Sequence, residues 1–369
     1  MSFLKLIKDE AKAIFTNPTI VMAMIGGVLF YAFLYPLPYQ QQSPEEQKIT
    51  VVDMDKSALS RKFIQMVNVS QQVNVVAQAE SVKEAKQLFL NNTVSGFLVI
   101  PDNFTKKLQL GHAPTVAYAG DASYFLIYGT IIEGLMKAGG AVAAEYKVAH
   151  MTIDGTPINS AINTFQPFKS NYVPVFNHNM GYVQYVVPAV FVLILQQTLL
   201  MAVGVRQKAT SVNENTIAHL SARFTIFLCS ELVLACFYFG YIFDFYNIGR
   251  FSSPLDLLIL LIPFISSVIL FGMLLAWLLP TPESILLVVL FSSMPIIFSA
   301  GFIWPTELIP SLLTDVMHLL PSGFAINGFL TLNQQGAELQ SIQSNISGLY
   351  GLCVIYSFCI LLVYKKRQS

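Results

Sequence analysis

The sequence predicts an α-helical integral membrane protein with six transmembrane helices and an extracytoplasmic α/β domain inserted between helices 1 and 2. Three observations lead to this fold class. Charged residues make up 11% of the chain, against about 25% in soluble domains, and the mean hydropathy is +0.59. Six apolar stretches are long enough to cross a bilayer, and one long polar segment separates the first stretch from the second.

The transmembrane stretches each contain about 20 mostly apolar residues, as a hydrocarbon core roughly 30 Å thick requires. They must be helical, because open strands would leave backbone groups unpaired in lipid. The first, TIVMAMIGGVLFYAFLYP, is longer than the apolar part of a signal peptide and no A-x-A site follows it, so we expect an uncleaved anchor. The predicted spans are residues 19–36, 182–205, 224–246, 257–279, 284–304 and 346–364.

Basic residues predict the orientation. Six spans place nine of them on one side of the membrane, at 5, 8, 12, 206, 208, 223, 365, 366 and 367, whereas the short loops of the other side contain only Arg250. The positive-inside rule then makes both termini, the tail 365–369 and the polar loop 206–223 cytoplasmic.

Residues 37–181 are expected to form the extracytoplasmic domain. Their 11 basic and 11 acidic residues cancel, so they carry no signature of nucleic-acid binding. Residues 123–144 are the remaining candidate for a span. Glu133 and Lys137 lie four residues apart in their middle, which favours an amphipathic helix of this domain with an ion pair on its face.

The rest of this domain alternates strand and helix patterns, which favours a small α/β sheet. Ser57 is predicted to open one helix, and Ser81 with Glu84 is predicted to form a capping box at the next. Asp53 and Asp55 follow a strand and precede a helix, where carboxylates more often form caps and turns than a cation site. The strand patterns are KITVVDMD, QVNVVA, VSGFLVIP and PTVAYAG; the helix patterns are SALSRKFIQMVN, SVKEAKQLFLNN and DNFTKKLQLG.

Several chemistries have no motif in this chain. No glycine precedes a lysine, so the sequence has no G-x-x-x-x-G-K-[ST] loop for nucleotide phosphates, and it also lacks G-x-S-x-G and H-E-x-x-H. The five histidines show no ligand spacing. The four cysteines fall inside predicted spans, where we expect small buried apolar side chains. We expect neither catalysis nor a bound metal.

The order of these parts resembles a known family. One span, a large outer α/β domain and five further spans are similar to the type-2 ABC exporter permeases, and more closely to the bacterial multidrug-export-like subgroup with a periplasmic domain after the first span. The stretches that carry the resemblance are VVDMDKSALSRKFI (51–64), VSGFLVIPDNFTKKLQLG (94–111) and GFIWPTELIPSLLTDVMHLLPSGFAINGF (301–329).

The resemblance gives the polar loop 206–223 a role as the coupling element that docks on a separate ATPase. The family often shows an R-E-x-G-T-x-E-like pattern there, whereas this chain reads RQKATSVNE, without the glycine and the first acid. Arg206, Thr210 and Glu214 are the implied counterparts, with His219 in the same loop. A solvated loop is the alternative.

Residues 1–18 are expected to form an amphipathic connecting helix. Its apolar residues recur at helical spacing, namely Phe3, Leu4, Ile7, Ala11, Ile14 and Phe15.

Residues 304–345 are predicted to form an outer re-entrant loop. Trp304 suits the membrane interface, and Pro305, Pro310 and Pro321 break the segment, which also contains Glu307, into short helices. A plain external loop is the alternative.

Within the spans, Gln196, Gln197 and Glu231 are candidate pathway residues, although hydrogen bonding between helices is at least as well supported.

The resemblance therefore implies the permease subunit of an exporter for drugs or other amphipathic, lipid-like molecules in the bacterial inner membrane. It implies no cofactor on this chain, with ATP and Mg on partner ATPase subunits. Further implied partners are a second copy or paralogue of the permease, often a periplasmic adaptor, and membrane lipid. A second hypothesis is a membrane-anchored receptor or scaffold whose outer domain binds a ligand or partner. A third, an ion-driven transporter, is less well supported, because charged residues are sparse within the spans.

Overall fold

A computed structural model describes residues 3–39, 44–165, 175–177, 181–210 and 216–368. The chain divides into two units. One, here called the helical unit, comprises Met1–Gln42 and Pro174–Ser369, and the other, the α/β unit, comprises Ser43–Val173.

The main elements are numbered along the chain. The helices are α1 (Phe3–Phe15), α2 (Pro18–Tyr39), α3 (Ala58–Val69), α4 (Val82–Leu90), α5 (Phe104–Gln109), α6 (Phe125–Ile153), α7 (Ile158–Phe165), α8 (Val186–Lys208), α9 (Ile217–Phe245), α10 (Pro254–Leu278), α11 (Pro282–Ser299), α12 (Ser311–Met317), α13 (Pro321–Phe329) and α14 (Gln343–Gln368). The strands are β1 (Gln47–Asp53), β2 (Val73–Gln78), β3 (Gly96–Ile100) and β4 (Ala117–Gly120).

Seven helices in the described part of the chain are long and apolar enough to cross a membrane by length and composition. Six of them, α2, α8, α9, α10, α11 and α14, overlap the six stretches predicted from the sequence and lie in the helical unit. The seventh is α6 of the α/β unit. The chain is thus a multi-pass membrane protein by composition and by helix length.

Helix ends differ from the predicted span ends by several residues, and three of these ends border the loops after α8 and after α11. Helix α8 continues to Lys208, and α9 already begins at Ile217, so both flanks of the polar loop 206–223 are helical. Helix α11 ends at Ser299, before the predicted boundary at 304. Gly301 explains this early end, because its φ of +82° is a left-handed conformation that glycine adopts without steric cost.

Helix α8 is the central element of the helical unit. Its apolar window is 94% buried, whereas those of the other candidate spans are between 22% and 61% buried. Gly204 permits one of its closest contacts, since a Cβ at this position would lie 2.6 Å from the Ile285 side chain of α11. A helix enclosed by protein on all sides makes its polar side chains available to its neighbours instead of lipid.

The α/β unit contains a four-stranded sheet in the order β2-β1-β3-β4. Strand β1 pairs in parallel with β2 and β3, and β4 is antiparallel to β3. Alternation along the strands buries both faces. Val51 and Leu98 pack with the core that α3 and α6 cover, and Val52 packs with Ala85 of α4 on the opposite face.

Helix α6 packs on this sheet with one face. Its buried side chains recur at helical spacing, namely Ile131, Leu135, Ala138 and Val142, and they share a core with the strands and α3. Glu133 and Lys137 form the predicted ion pair on the exposed side at 2.6 Å. A helix with one face against a sheet and charges on the other has the pattern expected of a domain helix.

The predicted caps are confirmed at α3 and only half correct at α4. Ser57 and Ser60 form a reciprocal capping box. Ser81 caps α4 by accepting from the Glu84 backbone N–H, but the Glu84 carboxylate accepts from the backbone N–H of Glu80 instead of Ser81. The prediction of a full capping box was therefore wrong, because the preceding residue offers the carboxylate another backbone donor.

Asp53 and Asp55 are turn residues. Asp53 accepts from the backbone N–H of Asp55 and of Lys56, at 3.1 and 3.0 Å, and from the Ser60 hydroxyl. Asp55 accepts from the Thr105 hydroxyl at 2.6 Å. Burial opposes ionisation of Asp55, but hydrogen bonds from Ser57 and from Thr105 outweigh it, so the pKa of this carboxyl lies below its usual value.

The expectation that all four cysteines are buried was wrong. Cys229 and Cys236 are exposed on α9, and Cys353 and Cys359 are half-buried on α14. Sequence hydropathy cannot distinguish the lipid-facing side of a span from its protein-facing side, because both sides are apolar.

Candidate functional site

Helix α1 turns a face toward the protein that contains a carboxylate. Leu6, Glu10 and Ile14 are its buried residues, spaced four apart, and the helix packs against α9. Phe3, Leu4 and Phe15 are exposed. The expected single apolar face is thus divided: Ile14 packs on the protein, whereas the exposed apolar residues remain available to a membrane surface.

Glu10 binds two arginines, the first and the last residue of the polar loop 206–223. Its carboxylate lies 2.9 Å from Nε of Arg206, at the end of α8, and 2.8 Å from Nη2 of Arg223, in α9. The exposed fraction is 3% for Glu10 and 0% for Arg223. A single residue of α1 therefore connects the two helices that enter and leave the loop.

Further hydrogen bonds complete this group. Arg223 Nη1 donates to Oε1 of Gln207. Arg206 Nη1 donates to the Thr210 hydroxyl at 3.0 Å, and that hydroxyl donates to the Arg206 carbonyl. We call Glu10, Arg206, Gln207, Thr210 and Arg223 the Glu10 cluster. Removing one partner of a buried ion pair leaves an uncompensated charge and typically costs about 3–5 kcal/mol, so the cluster holds α1, α8 and α9 together.

Lys208 connects the same end of α8 to another helix. Its ammonium donates to the carbonyls of Ala276 and Leu279, at 3.2 and 2.6 Å. These carbonyls lie at the end of α10, where the last turn of a helix has no intrahelical donors. Arg206 and Lys208 thus bind different neighbours, and the base of the loop is fixed to both α1 and α10.

The other residues predicted for coupling are less connected. His219 lies in the first turn of α9, with Nδ1 2.6 Å from the Thr216 hydroxyl. Glu214 lies outside the described residues. Of the four predicted residues, the structure brings Arg206 and Thr210 together within the Glu10 cluster, and His219 stands apart from them.

The two glutamines of α8 that are candidate pathway residues, Gln196 and Gln197, hydrogen-bond to neighbouring helices. Gln196 accepts from the backbone N–H of Ser322 at 2.7 Å and donates to the Ser322 hydroxyl at 3.1 Å. Gln197 donates to the Val289 carbonyl at 3.1 Å and to the Ser293 hydroxyl at 2.8 Å. Gln196 therefore caps the first turn of α13, and Gln197 joins α8 to α11.

Glu231 on α9 differs from both glutamines. It is 0% exposed, and neither carboxylate oxygen has a hydrogen-bond partner among the residues that the structure describes. Such an isolated carboxyl at membrane depth is costly. It is the candidate pathway residue that packing between helices does not explain.

The segment after α11 forms short helices, as the prolines predict. Pro310 precedes α12, and Pro321 occupies the first turn of α13. Trp304 is 54% exposed, whereas α13 is largely buried and packs against α8, α10 and α14. Pro305 and Glu307 lie in an exposed turn between α11 and α12. The second half of this segment is thus an integral part of the helical bundle.

Sequence reasoning missed Glu10, Gln207 and Ser322. Glu10 left a detectable signal, since an acid at the centre of a helix face formed by Leu6 and Ile14 requires a buried cation. Ser322 left no signal in the sequence, because its backbone N–H bonds to Gln196 only through the proximity of α8 and α13 in the fold. Within the described residues, no group of three or more His, Cys, Asp or Glu side chains is placed to hold a metal ion.

A comparison with known protein families identifies the family of this chain. The family described as ABC-2 family transporter protein matches residues 18–363, and no curated protein matches the chain. The chain belongs to the ABC-2 transporter family. It is the permease subunit of an ABC transporter. Members of this family are transport subunits that are not themselves catalytic, and they generally work with ABC ATPase partners.

Proposed function

We propose that this permease exports drugs or other amphipathic, lipid-like molecules, and that a separate ATPase docks on residues 206–223 and drives it. The observation that carries the docking proposal is the Glu10 cluster. Arg206 and Arg223 begin and end the loop and bind the same buried carboxylate of α1. A force applied to the loop is therefore transmitted to α1, α8 and α9 together, whereas a solvated loop would absorb it.

The proposal includes six spans, with both termini in the cytoplasm of a bacterial cell and the α/β unit outside its inner membrane. Packing of α6 on the sheet core supports leaving this helix out of the membrane. Six spans also keep the basic residues of α1, of loop 206–223 and of the chain end on one side, in agreement with the positive-inside rule.

The proposed assembly contains two permease chains, identical or related, and two ATPase subunits that hold ATP and Mg. A periplasmic adaptor is a further proposed partner of the α/β unit, and membrane lipid is proposed to contact the exposed side chains of α1. The subgroup with a periplasmic domain after the first span has the matching order of parts. Residues 304–345, with the buried helix α13, are proposed to line the outer end of the pathway.

Affinity purification in mild detergent tests the docking proposal. Residues 209–219 are replaced by a Gly/Ser linker of equal length, and the matched control replaces residues 91–93 of the α/β unit by Gly-Ser-Gly. We expect an ABC ATPase with ATP hydrolysis to co-purify with the intact chain and the control and to be lost with the loop variant. If no ATPase accompanies the intact chain, the proposal fails and a receptor function of the α/β unit becomes the better hypothesis.

A further inference from the structure

Helix α1 has a second face, opposite the one that packs on the helical bundle. The buried face includes Glu10. Lys5, Lys8 and Lys12 are exposed, and their spacing of three and four residues places them together on one side of the helix. Lys8 and Lys12 each lie two residues from Glu10, a rotation of about 200° around the helix. The lysines therefore point away from the bundle.

Apolar side chains adjoin the lysines on this exposed side. Leu4 is 76% exposed and Phe15 is 46% exposed. Leu4 precedes Lys8 by four residues and Phe15 follows Lys12 by three, so each is the neighbour of a lysine on the helix surface. An apolar row beside a basic row is typical of a helix that lies in a bilayer interface, with its apolar side chains among the acyl chains and its lysines at the head groups.

The neighbouring helices place α1 at the end of the membrane-spanning segments. Asn17 is extended and separates α1 from α2, and its Oδ1 accepts from the backbone N–H of Thr19 in the first turn of that span. Glu10 binds Arg206 at the end of α8 and Arg223 in the second turn of α9. Helix α1 is thus attached to two spans at the ends where their basic residues lie, which is the depth of lipid head groups.

The charge of the lysine face is not neutralised within the described part of the chain. The ion pairs formed there include none of the three lysines. Helix α1 contains two acids, the buried Glu10 and the exposed Asp9, so three exposed lysines face one exposed carboxylate. A complementary ligand has a negative group at head-group depth and acyl chains beside it. An acidic protein surface offers the charge without the acyl chains.

We propose that the exposed face of α1 binds an anionic phospholipid such as phosphatidylglycerol. This face comprises Leu4, Lys5, Lys8, Lys12 and Phe15. The ammonium groups face the lipid phosphates, and each lysine near an anionic surface adds to an attraction that salt weakens. The inference rests on the proposed contact of α1 with lipid and names its head group, and it requires neither export nor ATPase docking. Because Glu10 lies on the opposite side of α1, bound lipid and the Glu10 cluster hold this helix from two sides.

Photolabelling of the full chain in nanodiscs, without an ATPase, tests the site. The discs contain phosphatidylcholine and phosphatidylglycerol in equal parts, with a trace of either lipid bearing a diazirine in an acyl chain. Pepsin digestion, which is not specific for lysine, and mass spectrometry locate the label. We expect the phosphatidylglycerol probe to label residues 3–15 about fivefold more than the phosphatidylcholine probe, and we expect high salt to reduce this preference.

Three sets of substitutions sharpen the test. The triple variant Lys5→Gln, Lys8→Gln, Lys12→Gln should bring the ratio of the two labels close to one. Replacement of the same three lysines by arginine keeps the charge and should retain the preference. The matched control removes three exposed lysines of the α/β unit and should also retain it; its substitutions are Lys83→Gln, Lys86→Gln and Lys106→Gln.

Each part of the inference has a result that overturns it. Equal labelling of the intact chain by both probes overturns the anionic head group, and an unlabelled α1 overturns the lipid contact itself. An unchanged preference in the triple glutamine variant overturns the role of the lysines. If that variant keeps the preference and loses a co-purifying ATPase, the face binds the ATPase instead of lipid. Absence of an ATPase from the intact chain alters none of these labelling results, so the docking proposal and this inference fail separately.

Discussion

Two glutamates are buried in the described part of the helical unit, and their surroundings are opposite. Glu10, 3% exposed, binds two arginines, whereas Glu231, 0% exposed, has no hydrogen-bond partner for either oxygen in the described part of the chain. A paired carboxylate holds helices in a fixed relation, and an unpaired one contributes nothing to that relation. Burial alone therefore does not identify a structural residue; the partners do.

The largest expected effect is that of Glu10→Gln. The substitution leaves the guanidinium groups of Arg206 and Arg223 without their carboxylate, and Arg223 is 0% exposed. We expect a loss of about 3–5 kcal/mol in the free energy of unfolding. Thermal unfolding in detergent, followed by tryptophan fluorescence, measures it. The matched control is Asp9→Asn, an exposed acid of the same helix, with an expected change within about 0.5 kcal/mol. Equal losses in both variants would contradict the role of the cluster.

An intermediate effect is expected for Gln196→Leu. It removes the acceptor of the buried Ser322 N–H in the first turn of α13, and an unsatisfied buried donor costs about 1–3 kcal/mol. The same unfolding assay applies. Gln197→Leu is the control, because Oε1 of Gln197 has no hydrogen-bond partner in the described part of the chain and only donor bonds are lost. A larger loss for Gln197→Leu than for Gln196→Leu would refute this ranking.

Glu231→Gln tests the unpaired member of the two buried glutamates. Because the carboxyl makes no hydrogen bond with any described residue, an uncharged amide of the same size should change the free energy of unfolding by less than about 1 kcal/mol. The assay is again thermal unfolding, side by side with Glu10→Gln. A loss as large as that of Glu10→Gln would show that Glu231 has a charged partner in the folded protein.

The smallest expected effect is on the stability of the α/β unit at acidic pH. The folded-state pKa of Asp55 is lowered, so its contribution to stability is present above the usual aspartate value of about 3.9 and is lost as pH falls through the folded pKa. Thr105→Val removes the hydroxyl donor and should abolish part of this dependence. Hydrogen–deuterium exchange of residues 53–60 between pH 5 and 2.5, corrected for intrinsic rates, measures it. Identical profiles for both proteins would rule out this contribution.

The sequence allowed the membrane-protein class, the positions of the long apolar helices and the strand-helix order of the α/β unit to be predicted, because these depend on period and composition. Helix α13 begins where it does for a local reason, the ring of Pro321 in its first turn. Three features were not predictable: the choice of Glu10 as partner of both arginines, the cap that Gln196 provides to Ser322, and the exposed side of α9 that contains Cys229. Each depends on which helix faces pack together, and these helices are far apart in the sequence. No local sequence pattern specifies such a contact.

A double-mutant cycle on ATP hydrolysis tests the central claim most directly. ATPase activity of the purified complex is compared among the intact permease, Glu10→Gln, Arg206→Gln and the double variant. If the two residues act through one contact that links α1 to loop 206–223, the double variant loses no more activity than the worse single variant. Losses that multiply would show that the residues act independently, and the Glu10 cluster would then not be the coupling connection.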